Sequence, residues 1–204
     1  MLQHVVAIGA SAGGLEALTA IVQRLPRAVD AAILVVMHTR SNGTPVLPLV
    51  LARRSELAAS FAANDEPLQT GHVYVAPPDF HLLVEASRLR VVRGPRENGF
   101  RPAIDPLFRT VAHEFGSRVI GVILSGALSD GSNGLSAIKH HGGTAIVQDP
   151  ADATFRSMPR SALAAVDVDY VLPASEIADV IIRLTRSQAE REAHRPTAAT
   201  RRTN

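Results

Sequence analysis

The sequence contains no cysteine. That excludes disulfides, thiolate metal sites and cysteine nucleophiles, and it fits a cytoplasmic protein. No run of eighteen apolar residues occurs, so no membrane-spanning helix is expected. The N-terminus MLQHVVAIGA lacks a basic segment and goes straight into a strand pattern, unlike a signal peptide. A basic face on the fold is missing as well. The formal net charge is +2, but residues 183–204 carry six Arg and two Glu, which leaves 15 basic and 17 acidic groups in residues 1–182. The folded part is mildly acidic, so nucleic acid is not an expected partner. The basic character lies in residues 187–204, read as a solvated, disordered tail behind a single domain of residues 1–186.

What is present suits a packed domain. The 204 residues are 46% hydrophobic, enough for one sizeable core. Val5–Ile8 and Ala31–Met37 are β-branched apolar runs that read as strands buried on both faces, the mark of a parallel sheet under helices. Leu15, Leu18, Ile21, Val22 and Leu25 recur at helical spacing before Pro26. TPVLPLVLARR predicts a helix with Thr44 as N-cap and Pro45 in its first turn. GHVYVAPPDFHLLVEASRLRVVRG predicts a strand followed by an antiparallel hairpin. A helix is expected from Asp105 as N-cap, with Pro106 in first position, to Gly116. Strands at RVIGVILSG, TAIVQD and DYVLP alternate with helices after SDGSNG, at MPRSALAAV and at 174–185. The alternation implies an α/β fold with a mostly parallel sheet. Sites in such folds form at the carboxyl ends of strands.

Three reactive side chains leave predicted strands at that edge. Ser11 follows the first strand, His38 the second, and Asp130 the strand VIGVILSG. They are the parts of a serine nucleophile site: a hydroxyl to attack, an imidazole to take its proton, a carboxylate to orient the imidazole. Gly9-Ala10-Ser11-Ala12-Gly13 satisfies G-x-S-x-G, a sharp strand-to-helix turn that keeps bulk away from the hydroxyl. The helix beginning near Gly13 would direct unpaired backbone N–H groups at an oxyanion.

Each feature also has a plainer explanation. Ser11 could be a tight-turn residue, His38 structural or solvated, and Asp130 or Ser132 a helix cap. A dinucleotide site would need GASAGG to stand for G-x-G-x-x-G, but Ser11 holds the middle glycine position, and Met37-His38-Thr39 replaces the acid that should meet a ribose. Arg40 could instead meet a 2′-phosphate, so that reading stays open. His140 and His141 diverge on a helix, and His4, His72, His81 and His113 have no ligand spacing, so no metal site is expected.

In order along the chain come AIGASAGGLEAL, VVMH, HVYVAPPDFHLLV, RPAIDPLF, GVILSGALSDGSNGLSAIKHHGGTAIVQDP and SMPRSAL. Over residues 4–185 the sequence resembles the catalytic domain of CheB-type chemotaxis protein-glutamate methylesterases. The resemblance implies a doubly wound, Rossmann-like sheet with an antiparallel hairpin and no cofactor. It implies hydrolysis of glutamate methyl esters on the cytoplasmic helices of chemoreceptors, or on another methylated signalling protein, releasing methanol, with glutamine deamidation as a related activity and a chemotaxis methyltransferase as a further partner. It makes Ser11 the nucleophile, His38 the general base and acid, and Asp130 the orienting carboxylate, with Ala12 and Ala127 at backbone oxyanion positions.

The departures from the family pattern are local. Ala12 stands where Thr is usual, Thr39-Arg40 where Met-Pro is common, and Gly126-Ala127-Leu128 where Gly-Met-Gly is usual. A catalytically weakened binding module of the same fold is therefore the rival expectation. The family's usual N-terminal receiver domain is not part of this sequence, which begins at the first strand of the catalytic region, so the chain is either a stand-alone member or a fragment. For a stand-alone member, basal activity indifferent to phosphodonors is the expectation.

Overall fold

A computed structural model describes residues 3–38 and 46–186. Seven strands form one parallel sheet: β1 (His4–Ala10), β2 (Ala31–Met37), β3 (Ala58–Phe61), β4 (His72–Val75), β7 (Val119–Ile123), β8 (Thr144–Gln148) and β9 (Tyr170–Leu172). Their order is β3-β4-β2-β1-β7-β8-β9. From β1 the chain winds first toward β2 and later, from β7, the other way, so the switch point lies between β1 and β7. The hairpin β5 (His81–Glu85) and β6 (Arg88–Val92) forms a separate two-stranded antiparallel sheet.

The side-chain alternation of β1 explains the layers. Val5 and Ala7 enter one core, Val6, Ile8 and Ala10 the other. The first core receives α3 (Ile104–Phe115), α4 (Ser132–His140), α5 (Ser157–Ala165) and the hairpin. The second receives α1 (Gly14–Val22), α2 (Leu47–Arg54) and α6 (Ala174–Thr185). Helices on both faces explain why β1, β2 and β7 are apolar throughout rather than alternating.

The structure departs from the sequence reading at particular elements. The edge strand β3 was not expected: Ala58 and Ala59 carry little strand propensity, and pairing with β4 rather than burial makes the strand. Asp105 does not cap α3. Ala103 is the N-cap, Pro106 lies two positions beyond the first helical residue, and Asp105 is buried in the first turn. Helix α4 is capped by Gly131 at φ 97°, not by Asp130 or Ser132. Helix α2 begins at Leu47 with Val46, not Thr44, as its N-cap; Thr44, Pro45 and the tail 187–204 themselves lie outside the described residues.

Candidate active site

Parallel register brings the first two residues together. Ala10 pairs with Met37, so Ser11 and His38 leave adjacent strands at the same level. The ladder continues past the strand ends: His38 N donates to Ala10 O (3.0 Å), Leu124 N to Gly9 O (2.9 Å) and Ser11 N to Ser125 O (3.0 Å). Seven residues beyond β7, Asp130 closes the group. Ser11 Oγ lies 3.2 Å from His38 Nδ1, and His38 Nε2 lies 2.8 Å from Asp130 Oδ2. The three predicted side chains converge.

The bonds to Asp130 determine the tautomer of His38. Asp130 Oδ2 also accepts from Ile104 N (2.7 Å), and Oδ1 accepts from Asn98 Nδ2 (2.7 Å) and Asp105 N (3.3 Å). Burial is the largest influence on this carboxyl and opposes its charge. The hydrogen bonds from His38, Ile104 and Asn98 outweigh it and hold Asp130 below the ordinary aspartate range. An ionised carboxylate only accepts, so Nε2 carries the proton and Nδ1 is free to accept from the Ser11 hydroxyl. The side chains of His38 and Asp130 are 5% and 0% exposed, so water competes little for these bonds.

Two glycines shape the surroundings of Ser11. Gly13 adopts φ 68°, and a Cβ there would meet Thr154 Cβ at 2.7 Å and Ser125 Oγ at 2.9 Å. Its smallness serves packing within the protein, which removes the main reason to read GASAGG as a bed for a pyrophosphate. A Cβ on Gly126 would sit 2.9 Å from Ser11 Cβ and 2.6 Å from Met158 Cε. Ser125 Oγ donates to Ala12 O (2.8 Å) and accepts from Phe155 N (2.9 Å), tying the turn to the loop before α5.

That loop and helix also hold the segment after β7. Gly126 N donates to Phe155 O (3.0 Å), and Leu128 N donates to Ser157 Oγ (3.1 Å). Between these two pinned residues, the Ala127 N–H has no protein partner among the described residues, and neither does the Ala12 N–H. These are the two backbone donors singled out as oxyanion candidates. Ala12 is exposed, so the change from Thr removes a hydroxyl at the rim and leaves the backbone donor in place.

Sequence reasoning missed the turn Glu97–Phe100. Glu97 and Phe100 exchange both backbone hydrogen bonds (3.1 and 2.8 Å) around Asn98 at φ 53° and Gly99 at φ 85°. Asn-Gly is a strong two-residue turn signal and could have marked it. Its Phe100 ring stacks on His38, centroids 3.7 Å apart and planes within 7°. The loop leaving the hairpin thus reaches His38 and Asp130. Asp105 was also misjudged. Its Oδ1 accepts from Gly134 N (2.6 Å) inside α4, and its Oδ2 from Asn98 Nδ2 (2.8 Å). Burial, with the nearby Asp130 charge as a smaller contribution, raises its carboxyl above the ordinary range. Of the other histidines, His81 is buried and structural. It accepts from Ala103 N (3.2 Å) through Nδ1 and donates to Pro95 O (2.8 Å) through Nε2. Thr39 and Arg40 lie outside the described residues.

Comparison with known proteins identifies the fold and the family. Residues 6–181 match the CheB methylesterase family. A chain of Leptospira interrogans is 40% identical over 191 residues, covering 93% of this chain and 99% of that one. Protein-glutamate methylesterase/protein-glutamine glutaminase 2 of Anaeromyxobacter dehalogenans is 40% identical over 183 residues, 90% of this chain but 54% of that one. The chain thus spans nearly all of one relative and about half of the other. The crystal structure of the Thermotoga maritima CheB methylesterase catalytic domain superposes with a TM-score of 0.86 at 34% identity, over 90% of this chain and all of that one. On fold, on sequence along almost its whole length and on this structural likeness, the chain belongs to the CheB methylesterase family.

Proposed function

We propose that the chain is a protein-glutamate methylesterase, hydrolysing glutamate 5-methyl esters on the cytoplasmic helices of chemoreceptors to glutamate and methanol. The observation that carries this is the continuous line of hydrogen bonds from Ser11 Oγ through both nitrogens of His38 to Asp130. Ser11 attacks the ester carbonyl while its proton passes to His38 Nδ1, and Asp130 stabilises the imidazolium. The oxyanion is received by the N–H groups of Ala12 and Ala127, each such donor contributing about 3 kcal/mol to lowering the barrier. Methoxide leaves as methanol with the proton from His38. Water, deprotonated by the same nitrogen, then releases the glutamate.

A glutamine side chain can enter the same cycle, with ammonia as the leaving group, and relatives carry the glutaminase name as well. The chemistry needs no cofactor. A chemotaxis methyltransferase would supply the ester, and a cytoplasmic location goes with such a substrate. Among the described residues no helix is long and apolar enough to cross a membrane. The retained backbone donor at Ala12 supports catalysis over a role in binding alone.

Methanol release from methylated receptor membranes tests the reading. The chain should release methanol, and Ser11→Ala should lower the rate by at least about 10⁴-fold. Equal release by both would overturn it.

A further inference from the structure

Two buried carboxylates lie on either side of one amide. Asp105 and Asp130 are each 1% exposed, and each sits at the start of one helix while accepting from the other. Asp130, just ahead of α4, receives the first N–H groups of α3; Asp105, in the first turn of α3, receives the Gly134 N–H of α4. This reciprocal capping locks the two helix starts together, but it brings two carboxylates close. The single Nδ2 of Asn98 lies between them, 2.7 Å from Asp130 Oδ1 and 2.8 Å from Asp105 Oδ2.

We propose that Asn98 is a positioning residue of the catalytic site: its amide gives one hydrogen to each buried carboxylate and so keeps Asp130 aimed at His38 and held apart from Asp105. The inference rests on the Ser11 nucleophile reading above. The orientation of the amide follows from chemistry. Turned over, its oxygen would face two carboxylate oxygens with no hydrogen between them. Removal of the amide leaves Asp130 Oδ1 only the 3.3 Å contact with Asp105 N, while Oδ2 keeps both His38 and Ile104. Oδ1 then has no short hydrogen bond to oppose rotation of the carboxylate about Oδ2. Arg109 is the cation acting on Asp105, and its guanidinium is held by Glu97 in the same turn at 2.8 Å, so it does not replace the amide. Asn98 itself is exposed, and its left-handed backbone is one that Gly and Asp also tolerate, so the position can be changed without imposing strain.

The test reads the reactivity of Ser11 with an alkyl fluorophosphonate. Ser11 Oγ bonds to phosphorus, fluoride leaves, and the hydroxyl proton passes to His38, so no natural substrate is required. Asn98→Gly should lower the maximal labelling rate about 10- to 100-fold, with the half-saturating probe concentration little changed. Asn98→Asp should do the same and also melt earlier, because three carboxylates then share one site. The double variant Asn98→Asp with Asp105→Asn restores the charge count and an amide-to-carboxylate bond between positions 98 and 105. It should therefore recover melting temperature while its labelling stays slow, since Asp130 still lacks its donor. Wild-type labelling by Asn98→Gly, or recovery of labelling together with melting temperature in the double variant, would overturn the inference. Failure of the unmodified chain to be labelled at Ser11 would instead overturn the nucleophile reading on which it rests.

Discussion

The two halves of the candidate site are held by different forces. Ser11 and His38 are positioned by backbone: neighbouring strands in register, with ladder bonds that continue past the strand ends. The Asp130 side is positioned by side chains. Residues 94–103 are held by His81 at Pro95 and Ala103, and by Arg101, which bonds Gly94 O at 2.7 Å and pairs with Asp79. From there Asn98 reaches Asp130 and Phe100 reaches His38. A ladder tolerates the loss of any one side chain, whereas a side-chain network does not. The nucleophile end should therefore break through its reacting atoms and its packing, and the carboxylate end through its supports.

Asp130→Asn should be the most damaging change at the carboxylate end, lowering kcat by about 10⁴-fold, because an amide can no longer impose the required His38 tautomer. It should also change the stability profile. Asp130 has a depressed pKa in the folded chain, so its contribution is present above the ordinary value of 3.8 and is lost as pH falls through the depressed one. Thermal melts of both chains should thus differ most near neutrality and converge in strong acid; a difference that grows on acidification would contradict this. Gly126→Ala probes the ladder end through packing. Met158 can swing aside, but Ser11 Cβ cannot, so a loss of about 1–3 kcal/mol in stability and a clear drop in kcat are expected.

His81→Ala probes the loop away from the triad. It leaves the Pro95 carbonyl and Ala103 N–H unpaired, at a cost of about 1–3 kcal/mol. It should lower kcat about 10-fold by loosening Asn98 and Phe100; full activity in a destabilised variant would show that the loop does not position the triad. The smallest effect belongs to Arg24→Ala. The Arg24–Asp179 pair is about half exposed and far from both regions, so chemical denaturation should register no more than about 0.5 kcal/mol.

The same division explains what could be read in advance. Buried parallel strands announce themselves as β-branched runs, and the site follows from the strand ends, so Ser11, His38 and Asp130 were legible. The Asn98 and Asp105 roles were not, because they depend on which helix start faces which carboxylate. Asp105 carries a local N-cap signature, and tertiary packing overrides it: α3 begins at Ile104, its first two N–H groups, of Ile104 and Asp105, go to Asp130, and the Asp105 carboxylate turns instead to Gly134 N and Asn98. Strand β3 was hidden for a related reason, since its alanine-rich segment becomes a strand through its neighbour β4 rather than through its own pattern.

The central claim is that Ser11 attacks the acyl carbon of a glutamate methyl ester. Turnover of a peptide bearing that ester in H₂¹⁸O tests it directly. The account predicts one ¹⁸O atom in the glutamate carboxylate, none in the methanol, and turnover that disappears with Ser11→Ala. Label in the methanol, or undiminished turnover without the Ser11 hydroxyl, would contradict it.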